Sequence, residues 1–289
     1  DPGDTLFNLY IIEHTYNHLT SWSILNPAEF WSPDFFFPIS NAKTWSDNLI
    51  GPSIIYGIFR SLFNPVQSFT LWKVTTLSLN YISLRFCFKR INKFSSPIWI
   101  SIITFICSFS PFLSSQFTHP QLFSLFIFGP IIYICNILLV EKIHKINFSH
   151  FISLISLVLL NGVFNIYLYV YGYFASLVCI SIFIFRKIRC KNKSISYGEK
   201  FKSKTIWLML IISANIIIYI PYLNALKIVG QRSDYVISWN SPKILSWFYS
   251  NGQNLLPSPI MPGSHLSQYI NGAEQTLFPG WGIIILFIA

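Results

Sequence analysis

Apolar runs separated by short basic or polar breaks dominate the chain. They fall at roughly 66–88, 97–114, 121–140, 149–168, 170–187 and 205–223, and a further run starts near Trp281. A helix of about 20 apolar residues crosses a hydrocarbon core about 30 Å thick, so each run is a candidate membrane span. Pro97 opens the second run and Pro221 closes the sixth. The fourth and fifth runs meet at an expected turn around Tyr169–Tyr173. The segment 51–63 is too short to span. It reads either as a helix lying at the interface, with Arg60 among the headgroups, or as the outer end of the first span.

Two long stretches break this rhythm, 1–50 and 224–280. The first opens with Asp1-Pro2-Gly3-Asp4, a turn followed by a residue suited to cap the helix TLFNLYIIEHTYNHL. On that helix His14 and His18 are four apart and share a face. Two histidines fall short of the three or four ligands a metal site needs. Asp47 follows Ser46 and precedes an apolar run, so it too has the pattern of a cap. The second stretch holds segments expected to form interfacial helices around RSDYVISWNSPKILSWFYSNG.

Composition changes the picture from a set of runs to a class. Apolar residues make up 53% of the chain and Asp, Glu, Lys and Arg together 10%, where a soluble domain carries about 25% charged residues. A disordered chain, a nucleic-acid-binding module and an ordinary cytosolic enzyme are excluded. An all-α, polytopic transmembrane bundle is expected, in a single domain over 1–289. The net charge of +10 does not point to nucleic acid, because of where it sits. Residues 186–204 carry a net +7 and residues 85–93 a net +4, each beside an apolar run. That is the positive-inside pattern of cytoplasmic loops. It places 1–50 and 224–280 outside, with about six spans over 66–223 and the start of another at 281–289. The start at Asp1 and the end within an apolar run predict a piece of a longer protein, with a membrane helix upstream of Asp1. All five cysteines fall in spans or at the inner face, so no disulfide framework is expected outside.

Chemistry is therefore sought in the two long stretches. Asp4 reads equally as a helix cap and as a general base or metal ligand at the membrane edge. The stretch NPAEFWSPDFFFPISNAKTWSDNLIGP sets Asp34, Asp47 and Lys43 among aromatic rings. Rings stack on sugar C–H faces while carboxylates accept hydroxyls, and the same residues suit a loop resting on headgroups. Gln116, His119 and Gln121 form a polar knot between two spans. Arg232 can hold a lipid phosphate with its fork of donors, and Glu274 stands just before the last run.

The blocks DPGDTLFNLYIIEH, FFFPISNAKTWSDNLIGP, THPQLFSLFIFGP, NSPKILSWF and GAEQTLFPGW, in this order, resemble bacterial members of the GT-C superfamily of integral-membrane glycosyltransferases, in the uncharacterised branches near YfhO-like and protein-mannosyltransferase-like proteins. The resemblance covers almost the whole chain. It implies transfer of a sugar from a polyprenyl-phosphate-linked donor to a cell-envelope acceptor, at the outer face of a bacterial plasma membrane. The acidic residue near the exit of the first membrane helix would act as catalytic base or help bind a divalent metal ion. Here that residue is Asp4 or Asp1, with Asp47 a candidate second acid. His119, Gln116 and Glu274 are candidate substrate contacts, and Arg232 or Lys243 would offset the leaving phosphate. The implied partners are the lipid-linked donor and membrane lipids, with no nucleic acid. Two other classes stand beside this one: a transporter or flippase for lipid-linked glycans, and a non-catalytic membrane partner in envelope-polymer assembly. The first would need ionisable residues deep in the spans, and only Lys73, with Asn80 and Asn161 as weaker polar candidates, fits that.

Overall fold

The computed structural model describes residues 2–22, 26–36, 38–45, 47–91, 96–110, 113, 120–189, 219–227, 230, 233–235, 238, 241, 243–249 and 258–266. Among them the chain is helical and contains no strand, only one isolated bridge between Tyr249 and Ile260. The α-helices are α1 (Pro2–Thr20), α2 (Pro27–Trp31), α3 (Ile50–Arg60), α4 (Pro65–Ile91), α5 (Pro97–Ser108), α6 (Phe128–Val140), α7 (Phe148–Phe164) and α8 (Ile166–Arg189). Residues 219–227 are also helical.

Several helix starts are local capping chemistry. The Asn64 side chain accepts from Gln67 N–H ahead of α4, and Ser96 Oγ accepts from Trp99 N–H ahead of α5. Both helices then begin on proline, whose missing N–H costs nothing at the first position. Asn147 caps α7 through a reciprocal bond pattern with His150. Helix α3 is different. It follows Leu49, a buried residue with φ of 51°, in the left-handed region that a branched side chain adopts only with strain.

Two cores organise the helices. Ile11 and Ile12 of α1, Leu49, Tyr56 of α3, and Phe69 and Trp72 of α4 form one. Ile131, Ile134 and Leu138 of α6, Leu154 and Val158 of α7 and Cys179 of α8 form the other. Helix α4 joins them, packing on α1 and α3 on one side and on α5 and α6 on the other. A second join runs through Gly51. A Cβ there would lie 2.5 Å from the Phe164 ring, so only glycine lets α3 meet the end of α7 this closely.

Several expected boundaries move. In the second run α5 ends at Ser108, and the third begins with a 3-10 turn at Pro120–Phe123 before α6 starts at Phe128. The turn expected at Tyr169–Tyr173 lies instead at Asn165, between α7 and α8. Asn165 breaks the helix because its own Oδ1 accepts from Leu168 N–H, which caps the next one. Helical residues run on through Pro221 to 227, so Pro221 does not end that segment. Of the described helices, only the stretch Ile166–Arg186 is both long and apolar enough to cross a membrane. Helices α5, α6 and α7 are apolar but shorter.

Arg186, expected at the start of a loop, is still within α8. Its guanidinium donates to the carbonyls of Leu138, Leu139 and Glu141, closing the open C-terminal end of α6. Arg186→Ala should cost about 1–3 kcal/mol, since it strands carbonyls that a charged donor had satisfied. Arg186→Lys should recover only part of this, because an ammonium cannot fork across three acceptors. Thermal unfolding of the purified protein in detergent, compared across the three, measures it.

Candidate functional site

Asp47 is the acidic candidate whose side chain is described, and it is almost fully buried, 1% exposed. It does not cap α3, which its position in sequence suggested. Its Oδ2 accepts from Ile166 N–H at 3.2 Å, the first residue of α8 and 119 positions away. The amides of Asn48 and Leu49 face the carboxyl as well but do not reach hydrogen-bond geometry, so Oδ1 has no partner. Burial pushes the Asp47 carboxyl up to about 7, and the three backbone N–H groups hold it from going higher.

The neighbours are polar and aromatic. Asn48 donates from Nδ2 to Gly162 O at 3.3 Å and accepts from Ile50 N–H, which fixes the strained 47–49 segment against α7. Asn161 and Asn165, four apart near the end of α7, are fully buried. Tyr219 and Tyr222 lie within electrostatic reach of Asp47. Gly162 lets Tyr219 in: a Cβ on it would stand 3.0 Å from the Tyr219 hydroxyl and 3.1 Å from the Tyr169 ring. The rings continue from Tyr169 to Tyr219 at 5.1 Å, to Tyr222 at 5.9 Å and to Trp31 at 5.9 Å. The first long stretch, the α7–α8 break and residues 219–227 thus meet at one polar junction.

A second buried group lies near Trp31. Lys43 is fully buried, with Nζ 2.6 Å from Thr15 Oγ1 and 3.5 Å above the Phe30 ring. Burial pulls its ammonium well below the usual lysine range. The link fastens the 42–45 turn to α1, and so sets where Asp47 falls. His14 and His18 stack at 4.2 Å between ring centroids, as their spacing implied. Burial, then Lys43, then His18 lower His14 to about 4. A histidine held below its unfolded value of about 6.5 stabilises the fold above that pH and ceases to as pH falls toward 4. His14→Gln should therefore flatten the acid loss of stability between pH 6.5 and 4, seen as a smaller drop in melting temperature over that window.

Glu13 is not a free surface charge. It pairs with Arg60 at 3.0 Å and accepts from the Tyr56 hydroxyl, which ties α1 to α3. Arg60 also donates to Phe63 O at 3.2 Å.

The remaining candidates are unevenly placed. Asp4 lies in the first turn of α1, not at its cap, because the helix already includes Pro2. Its side chain, like Asp1, Gln116, His119, Arg232 and Glu274, lies outside what is described, as does the side chain of Gln121. Lys243 opens a 3-10 turn at Ile244–Phe248, its N–H donating to Ser246 Oγ. Among the described residues no group of three or more His, Cys, Asp or Glu could hold a metal ion. Sequence reasoning missed Asn48, Asn165, Tyr219, Tyr222 and the burial of Lys43. No protein-family model, curated protein or solved structure matches the chain.

Proposed function

We propose that the chain is part of a multi-pass membrane glycosyltransferase, moving a sugar from a polyprenyl-phosphate-linked donor to a cell-envelope acceptor at the outer face. The observation that carries this reading is the junction at Asp47: a buried carboxyl with one free oxygen, set among amides and aromatic rings where the first long stretch meets the helix ends. Such a group accepts a hydroxyl, and rings beside it suit sugar C–H faces. Asp4, in the first turn of α1, is the proposed base for the acceptor hydroxyl. The leaving group is a lipid phosphate, which needs little protonation, so the chemistry rests on a base and on charge stabilisation. The exposed apolar side chains of α8, among them Phe174, Val178 and Phe185, support a lipid-facing helix.

Transfer from a radiolabelled pool of polyprenyl-phosphate sugars by the full-length protein in nanodiscs tests the reading. Labelled product is the expected result. No product from any lipid-linked donor would favour the flippase or partner classes. The proposed topology has its own check. Ser194→Cys should react with a membrane-impermeant maleimide only after the inner face is opened, and Ser264→Cys in intact cells. The reverse pattern would place both long stretches inside and remove the donor side of the reading.

A further inference from the structure

We infer that the junction around Asp47 binds an uncharged, polyhydroxylated group, so that the donor carries a neutral sugar and not an acidic one; this rests on the transfer reading above and narrows it. Among the described residues, six buried polar atoms here lack a hydrogen-bond partner: Asp47 Oδ1, both amide atoms of Asn161, Asn165 Nδ2 and the hydroxyls of Tyr219 and Tyr222. Asp47, Asn161 and Asn165 are each at most 1% exposed. A buried polar atom without a partner is costly, so a set of them calls for something that supplies the missing bonds. The set is mixed in kind. Asp47 Oδ1 and Asn161 Oδ1 accept, the two Nδ2 groups donate, and a tyrosine hydroxyl does both. Sugar hydroxyls, each a donor and an acceptor, match that mixture.

Charge selects within the sugars. Among the described residues Asp47 is the one charged group that acts on Tyr219 and Tyr222, and no Lys or Arg charge acts on Asp47. Lys43 is turned to the Phe30 ring and to Thr15 Oγ1. A carboxylate on the sugar would face Asp47 with no cation to pair it, a buried arrangement that is strongly unfavourable. A metal ion fits less well than a sugar. Only one carboxyl is present, and the N-terminal end of α8, whose first N–H points at it, opposes added positive charge.

The test is equilibrium binding to the full-length protein in nanodiscs, with three probes: polyprenyl-phosphate glucose, polyprenyl-phosphate glucuronate and bare polyprenyl phosphate. Glucose and glucuronate differ only in a hydroxymethyl against a carboxylate. The glucose lipid should bind at least about tenfold tighter than either of the others, the worth of one or two hydrogen bonds. Tyr219→Phe and Asn161→Ser should each weaken it about three- to tenfold and leave bare polyprenyl phosphate unchanged. Asp47→Asn should narrow the preference over glucuronate. Equal binding of the three probes, or variants that shift all three alike, would overturn the inference. Selective binding without transfer would uphold the site while removing the enzyme reading. Transfer from the glucuronate lipid as readily as from the glucose lipid would do the opposite.

Discussion

Asp4→Asn should lower glycosyl transfer by about 10²–10⁴-fold, the usual worth of a general base, while leaving the protein folded. Asp4 lies in the first turn of α1, and α1 packs on α3, on α4 and on the turn at Pro120–Phe123. Asparagine keeps the shape of the side chain and loses only its charge at the positive end of a helix, worth about 0.3–1 kcal/mol. A large fall in rate with unchanged melting temperature therefore separates a base from a residue of the helix start. Asp47→Asn is the comparison. Asparagine can still accept from Ile166 N–H, so the α7–α8 break should hold. What goes is one charged hydrogen bond to a substrate hydroxyl, about 10–10²-fold in rate. Initial rates normalised to folded protein in nanodiscs decide the order. Asp4→Asn without effect, beside a severe Asp47→Asn, would move the base to Asp47.

Asp47 should make the protein lose stability as pH rises from about 4 to about 7, and Asp47→Asn should abolish that contribution. The carboxyl titrates near 7 in the fold against 3.8 when free. A carboxyl raised in this way is tolerated when protonated. Its cost is absent below the unfolded value, grows above about 4, and is fully present above about 7. The size is a few kcal/mol, since one unit is worth about 1.4 kcal/mol. Asp47→Asn removes the charge at every pH. It should therefore melt higher than the parent at pH 8 and close to it at pH 4. His14 acts in the opposite direction over an overlapping range, so the comparison is cleanest in a His14→Gln background. A parent and variant that melt in parallel from pH 4 to 8 would show that Asp47 is solvated.

The helical class and the starts of α4, α5 and α7 were legible because their causes are local. Ser96-Pro97, Asn64-Pro65 and Asn147 with His150 carry their capping partners within three residues. The α7–α8 break was misplaced by several residues because no proline marks it and the nearest glycine, Gly162, is still inside α7. Asn165 makes the break with its own side chain, while the nearby tyrosines Tyr169, Tyr171 and Tyr173 look like an interfacial turn and are helical. The junction was half legible. Asp47 looked like a cap, and it is one, but for a helix 119 residues away. No local pattern encodes such a pairing. The same is true of Lys43, which Thr15 and Phe30 close over, and of Glu13 with Arg60.

An infrared pH titration of the parent protein minus Asp47→Asn, in nanodiscs, looks at the buried carboxyl itself. The expected difference is a protonated-carboxyl band that disappears with a midpoint near 7 and shifts in frequency when polyprenyl-phosphate glucose is added. A carboxyl that is ionised throughout, or one that titrates at the ordinary aspartate value and ignores the lipid-linked sugar, would contradict a buried, ligand-binding Asp47.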